Sequence, residues 1–388
     1  MSTLPPGLDR LPSGKVRARY RDAAGRQHSK TFEGVRDAQR WLRAQRTAVD
    51  AGRHVDPHSG RVTFGDYADR WLAEQSLDPS TREVMLQRLR LHAYRALGPL
   101  QLRAITPSVI RAWQGGLTHL APSYQRAIFI NVSAALSAAV DDEMIGRNPC
   151  RVPSVRAPRV ETRQVVPWTA AQVLAVTDAL PEQYRTLTVL AAGLGLRQGE
   201  VFGLAVDDVD FLRGRVEVRR QVKIFSGNRL VYGLPKGGKT RTVPLAASVR
   251  DHLAAHLAAH SARDATLPWG HPDGQAVTVP LLTTSREGKA LNRNHINAYV
   301  WKRALVAAGV QPSRENGMHA LRHFFASALL DAGESIKAVS EYLGHTDPGF
   351  TLRTYTHLMP RSDERSRLAV DAALTPPSEP RARQDTTP

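Results

Sequence analysis

MHALRHFF (residues 318–325) sets His319 and Arg322 three positions apart, and the apolar residues around them, Met318, Leu321, Phe325, Ala328 and Leu329, recur at helical spacing. An i, i+3 pair shares one side of a helix, so this stretch predicts a core helix that points a histidine and an arginine in the same direction. Four further segments carry side chains of matching chemistry. Arg197 lies in GLGLRQGEVFGL (193–204), Lys236 in YGLPKGGKTRTVPL (232–245), His345 in EYLGHTD (341–347) and Tyr355 in TLRTYTHL (351–358). All but Tyr355 can be cationic, and Tyr355 is an ionisable phenol. No carboxylate cluster accompanies them, so the set is unsuited to a hard metal ion. It fits metal-free chemistry on a phosphodiester, with arginines to neutralise the phosphate, a tyrosine to attack it, and histidine and lysine to move protons.

Each residue has a local reading. Arg197 follows a Gly193-Leu-Gly195 turn and opens a helix continuing as EVFGL, where a guanidinium beside free amides suits a phosphate oxygen. Arg197 and Arg322 together would clamp the non-bridging oxygens of a phosphate and stabilise the charge of a pentavalent transition state. His345 follows the helix SIKAVSEYL, with Gly344 as its cap, and is either a phosphate ligand or a capping and packing histidine. Pro348 and Gly349 break the chain ahead of a short helix displaying Tyr355. Tyr232, Tyr299 and Tyr342 lack that setting and read as packing residues, and Glu200 as a structural partner of Arg197.

In order and wording these segments resemble the tyrosine recombinase family, the phage-type integrases. The likeness covers roughly residues 160–365 closely, and the preceding region in general organisation. It implies a mainly α fold with a small β-sheet in the C-terminal domain (α+β), the DNA breaking-rejoining catalytic fold. The implied catalytic set is Arg197, Lys236, His319, Arg322, His345 and Tyr355. Tyr355 would be the nucleophile, giving a 3′-phosphotyrosine and a free 5′-hydroxyl with neither metal nor other cofactor. His319 would assist removal of the tyrosine proton or fix the phosphate's neighbours. The family's lysine is a general acid on a hairpin tip. Here Gly237 and Gly238 separate Lys236 from Lys239 and leave both eligible, with Lys236 favoured because it follows the Leu-Pro that ends its strand. The strand material GRVEVRRQVKIF would complete a three-stranded sheet with that hairpin.

The rest of the chain agrees with a nucleic-acid partner. Lys and Arg number 53 against 36 Asp and Glu in 388 residues, a formal charge of +17, in a chain with no apolar run long enough for a membrane helix and no signal-peptide segment. The expectation is a soluble, cytoplasmic, nucleoid-associated protein. Its one cysteine, Cys150, cannot form an internal disulfide and reads as a partly buried, inert thiol.

Residues 1–58 read as an arm-type DNA-binding domain. In KVRARYRD, Val16, Ala18 and Tyr20 alternate with Lys15, Arg17, Arg19 and Arg21, giving one apolar and one cationic strand face. A second strand, RQHSKTFE, and a helix with Ala38, Trp41, Leu42 and Val49 facing inward complete it. Residues 62–150 read as a helical, SAM-like core-binding domain. Thr63 is the first N-cap, a long helix from Ser123 is stopped by Asn148-Pro149, and Arg88, Arg90, Arg95, Arg111 and Arg126 are candidate phosphate contacts. Residues 151–167 form a Pro- and Arg-rich linker, 168–374 the catalytic domain opened by a Trp168-Thr169 cap, and 375–388 a disordered tail. In the segment SDERSRLAVDAAL (362–374), Leu368, Val370 and Ala372 would dock on a neighbouring subunit or pack on their own domain.

The function implied is that of a site-specific DNA recombinase, the integrase of a phage or other mobile element. It would act as a homotetramer on double-stranded attachment sites, with DNA-bending and directionality factors as further partners. The alternatives are a type IB topoisomerase-like enzyme, which relaxes DNA, and a DNA-binding regulator without catalysis.

Overall fold

The computed structural model describes residues 4–22, 25–50, 59–161 and 164–356, together with Arg367, Val370, Asp371, Ala373 and Leu374. It divides into two compact units, Met1–Thr162 and Arg163–Pro388. Leu368, Ala372 and the tail 375–388 lie outside the described residues, and Val370 is exposed.

The first unit holds two cores. In the first, β1 (Leu8–Arg10), β2 (Val16–Arg21) and β3 (Gln27–Phe32) form an antiparallel sheet in that order, covered by α1 (Val35–Asp50). Val16, Ala18 and Tyr20 of β2 are buried against Leu8, Ala38 and Leu42. Strand β1 is absent from the sequence reading, being only three residues long. It brings Asp9 onto the cationic face, where it pairs with Arg19 and lies 4.0 Å from Arg17. Lys15 sits just ahead of β2 and bonds Glu33 at 2.6 Å, so that face is partly neutralised and not a bare row of four cations.

The second core belongs to α2 (Phe64–Glu74), α3 (Pro79–His92), α4 (Pro107–Gly115) and α5 (Pro122–Asp141). Thr63 and Thr106 cap α2 and α4 by accepting from the Asp66 and Val109 amides. Phe64, Leu89, Ile110, Ile128 and Leu136 are fully buried, each stabilising the bundle by about 1.5–3 kcal/mol. Gly98 closes the α3 corner. A Cβ there would lie 2.4 Å from the Tyr94 carbonyl oxygen, so the turn excludes any larger residue. The long helix ends at Asp141, ahead of the expected Asn-Pro stop, because Glu143 turns left-handed (φ 55°). Asn148 instead caps a 3₁₀ turn and ties it back to α5 through the Ser133 carbonyl and Ser137 hydroxyl, each at 2.8 Å. Cys150 is buried rather than partly exposed, and burial pushes its thiol up to about 12.

In the second unit, Thr169 and Gln172 form a capping box at the start of α6 (Ala170–Ala179). Next come α7 (Glu182–Leu194), α8 (Gln198–Phe202), β4 (Val209–Asp210), β5 (Arg215–Val218), β6 (Gln221–Phe225), β7 (Arg229–Gly233), β8 (Arg241–Pro244) and α9 (Ala247–Ala259). After the hairpin β9 (Arg263–Pro268) and β10 (Ala276–Leu281), α10 (Arg293–His295) runs through a π-helical stretch (Ile296–Trp301) into α11 (Lys302–Ala307). The chain continues as α12 (His319–Asp331), α13 (Ile336–Leu343) and α14 (Pro348–Tyr355). Helix α7 is the central element, buried under α6, α9 and α12 through Leu187, Leu190, Ala191 and Leu194.

The sheet differs from the expected one. GRVEVRRQVKIF divides into β5, which pairs with β4 and β8, and β6, which pairs with β7. Arg220 continues the inward alternation of Val216, Val218 and Val222, so its charge has to be neutralised, and fully buried Asp208 does so at 2.6 Å. Lys236 therefore lies in a loop joining two sheets, not on a hairpin tip. Three smaller corrections follow from local chemistry. Pro348 begins α14 instead of breaking the chain, since a first-turn proline loses no helical bond and Asp347 caps the Gly349 amide at 2.8 Å. Ala328 faces solvent, while Ala326 and Leu330 turn inward. Tyr299 is 58% exposed on the π-helical stretch, its ring tilted against that of His295, and is no core residue, whereas Tyr232 is fully buried.

Candidate active site

The site is built where the ends of α7 and α13 meet the start of α12. Helix α7 ends in a left-handed Gly195 (φ 62°), whose carbonyl accepts from Arg322 Nη1 at 2.7 Å. A Cβ on Gly195 would lie 2.4 Å from the Phe325 ring, so glycine is needed for both its backbone and its lack of a side chain. Arg322 Nη2 donates to the Leu343 carbonyl at 2.5 Å and to His345 Nε2 at 3.0 Å. This guanidinium is 1% exposed, and no carboxylate lies within ion-pair distance of it among the described residues. Burial, then the neighbouring Arg197, disfavour its charge and push its pKa down to about 9. A buried cation in that state is stabilised by an incoming anion.

Arg197 is the N-cap of α8, which is only five residues long and ends at Phe202. Its backbone amide and Nη1 both donate to Glu200, at 2.9 Å each, and Nη2 reaches the Gly344 carbonyl at 3.3 Å. Glu200 is fully buried and also accepts two bonds from Arg241, at 3.0 and 2.7 Å. Burial by itself would raise its pKa, but the bonds and charges of Arg241 and Arg197 outweigh that and hold it at about 2. Arg241 Nε donates in turn to the Tyr342 carbonyl at 2.6 Å, tying β8 to the end of α13. Two guanidiniums thus share one carboxylate while the third, Arg322, pairs with none among the described residues, and the pocket carries surplus positive charge.

His345, placed by the left-handed Gly344 (φ 64°), accepts from Arg322 through Nε2. Its proton therefore sits on Nδ1, which donates to the buried Thr351 hydroxyl at 2.7 Å. Burial first, then Arg322 and Arg197, hold its pKa down to about 3. His319 lies at the solvent edge of the site. Surrounding protein, then His323, Arg322, Arg197 and Lys236, press its pKa down to about 4. Lys236 and Lys239 are both exposed, on a loop that passes beside Thr346. Of the two, Lys236 is the cation that acts on His319.

Tyr355 is 2% exposed, and its hydroxyl lies 2.7 Å from His323 Nδ1, not on His319. Burial pushes the phenol up to about 12, with Arg322 pulling the other way. Arg322 and His345 are thus bonded directly and Arg197 reaches the backbone carbonyl just before His345, while Tyr355 and His319 meet through His323, whose ring stands edge-on to that of His319 at 4.7 Å. The sequence reading missed two members. Arg241 shares the inward face of β8 with Val243, and His323 stands one turn after His319 on α12. Both signals are present in the sequence but faint.

The candidate DNA contacts lie elsewhere. Arg21 is exposed, Arg88 is half-buried over the Tyr124 ring at 5.7 Å, Arg111 bonds Ser154, and Arg126 bonds the Pro158 carbonyl at 3.1 Å.

Sequence comparison decides the family. Residues 168–361 match the Phage integrase family, residues 7–51 the phage integrase N-terminal domain, and residues 63–118 the phage integrase N-terminal SAM-like domain. The chain belongs to the phage integrase family. It is 27% identical over 357 residues to the putative prophage phiRv2 integrase of Mycobacterium tuberculosis, covering 89% of each chain. The fold is that of the Tn1549 transposon integrase solved with a circular intermediate DNA (TM-score 0.66, 19% identity, 81% of this chain and all of that one). It is also that of a lambda integrase tetramer bound to a Holliday junction (TM-score 0.57, 20% identity, 89% and 97%). This integrase is a tyrosine-type site-specific DNA recombinase, which cleaves and rejoins DNA by transesterification through a phosphotyrosine. Among its described residues no helix is long and apolar enough to cross a membrane.

Proposed function

We propose that Tyr355 is the nucleophile of this integrase, and that Arg197 and Arg322 bind the non-bridging oxygens of the phosphate it attacks. The observation that carries the assignment is the surplus of positive charge. Arg197, Arg241 and Arg322 have one carboxylate between them, and the hydroxyl of Tyr355 lies within electrostatic reach of Arg322. A phosphate supplies the missing negative charge, and the added charge of a pentavalent transition state is stabilised further. Lys236 protonates the leaving 5′-oxygen, and His319 and His345 border the phosphate.

The chain works in three parts. Residues 1–58 bind arm sites, 62–150 and 168–374 hold the core site, and 151–167 link them. Lys15, Arg17, Arg19, Arg21, Arg88, Arg126 and Lys239 contribute contacts to the backbone phosphates. Recombination uses four protomers on two duplexes in the nucleoid-associated cytoplasm, with DNA-bending and directionality factors. The tetrameric lambda integrase on a Holliday junction supports this stoichiometry.

The test is a duplex attachment site nicked beside the crossover, so that cleavage traps the enzyme. Wild type should form a covalent adduct and Tyr355→Phe none. Arg197→Ala and Arg322→Ala should each cleave at least about a hundredfold more slowly. An adduct that persists in Tyr355→Phe overturns the assignment.

A further inference from the structure

We propose that His323, rather than His319, takes the proton of the Tyr355 hydroxyl as that oxygen attacks the phosphate. The inference rests on Tyr355 being the nucleophile, and it starts from the 2.7 Å contact between Tyr355 Oη and His323 Nδ1. That is the reach of a general base. His319 makes no such bond among the described residues. It touches His323 edge-on and opens to solvent.

The direction of the hydrogen bond follows from burial. The phenol is 2% exposed and has one proton to place, and His323 Nδ1 is the only acceptor bonded to it among the described residues. The hydroxyl therefore donates, and the imidazole carries its own proton on Nε2. Helix α12 fixes the division of labour. Successive residues project about 100° apart, so Arg322 turns into the pocket while His323 flanks the tyrosine.

The protonation states agree. The charged and titratable groups facing His323 are Arg322 and His319 on its own helix and Tyr355 on α14. Burial, then Arg322, hold its pKa down to about 4, so it is neutral and able to accept. The phenol stands at about 12, and across that gap the proton stays on oxygen until the phosphate arrives. Transfer then accompanies attack. The Oη–P bond forms as the P–O5′ bond breaks, the Oη proton passes to Nδ1, and the leaving oxygen takes a proton from Lys236. Rejoining returns each proton by the same route.

The experiment uses the full-length chain on the nicked duplex, with His323→Ala, His323→Asn and Lys236→Ala. Asparagine places an acceptor near the position of Nδ1 and holds the hydroxyl, but it takes no proton. Both His323 variants should cleave about 10²–10⁴-fold more slowly than wild type while binding DNA normally. The acid limb of the wild-type pH–rate profile should vanish in His323→Asn. On a substrate with sulfur at the bridging 5′ position, whose leaving group needs no proton, Lys236→Ala should recover and the His323 variants should not. The proposal is overturned if His323→Asn cleaves within a few-fold of wild type, or if the sulfur substrate rescues it. Absence of any Tyr355-dependent adduct in wild type would instead overturn the reading on which it rests.

Discussion

Replacing Glu200 with glutamine keeps the shape of the side chain and removes its charge, leaving Arg197 and Arg241 to face each other across a fully buried site. The cost can be worked two ways. The carboxyl pKa falls from 4.5 to about 2 on folding, and at about 1.4 kcal/mol per pH unit this corresponds to roughly 3 kcal/mol. Breaking a buried ion pair by removing one partner costs about 3–5 kcal/mol. The two agree, and for a unit of this size a loss of 3 kcal/mol lowers the melting temperature by roughly 6–12 °C. The pH dependence has a definite sign. A depressed carboxyl pKa contributes stability that is fully present above about 4.5 and lost as pH falls towards 2. The gap in melting temperature between wild type and Glu200→Gln should therefore be constant from pH 8 to 5 and narrow below that. Cleavage of the nicked duplex should slow as well, because Arg197 loses its anchor. A variant that melts within 1 °C of wild type at pH 7 and cleaves normally would refute the account of Glu200 as the keystone of the cationic pocket.

Other outcomes follow from the same geometry. Thr351→Val keeps the volume but leaves the Nδ1–H of His345 without its acceptor, so stability should drop by about 1–3 kcal/mol and cleavage should slow; unchanged urea unfolding and kinetics would contradict this. Gly195→Ala forces a Cβ into a left-handed residue and against the Phe325 ring, which should cost about 1–3 kcal/mol or more, measured by thermal melting. Burial holds His323 and His345 at about 4 and 3 in the folded chain, so the unfolded chain takes up protons first. The urea midpoint should fall as pH drops from about 6.5 to 5, by up to about 2 kcal/mol of stability per histidine, and a flat midpoint across that window would show that neither is held neutral. Lys236→Ala should lose far more cleavage than Lys239→Ala, and equal losses would return the choice between them to the loop's flexibility.

Local features were the legible ones. The alternation of Val16, Ala18 and Tyr20, the threonine caps at 63 and 169, and the two left-handed glycines at 195 and 344 are each fixed by a few neighbouring residues. The missed features depend on partners far apart in the chain. Arg241 meets Glu200 across 41 positions and Tyr342 across 101, which no periodicity records. The division of the β5–β6 run depends on Asp208, and the partial neutralisation of the N-terminal sheet on Asp9 in a three-residue strand. His319 stands in the H-x-x-R spacing, and the sequence carries no comparable mark at His323. Only the packing of α14 shows which of the two rings the phenol meets.

Helix α14 carries Tyr355 at one end and, one turn earlier, the Thr351 hydroxyl that orients His345. A displacement of the whole helix that withdraws the phenol from His323 would also carry the Thr351 hydroxyl away from His345. On the proposed assignment, the nucleophile and the histidine that borders the phosphate hang on the same eight-residue helix, so a substitution that shifts α14 should impair both together.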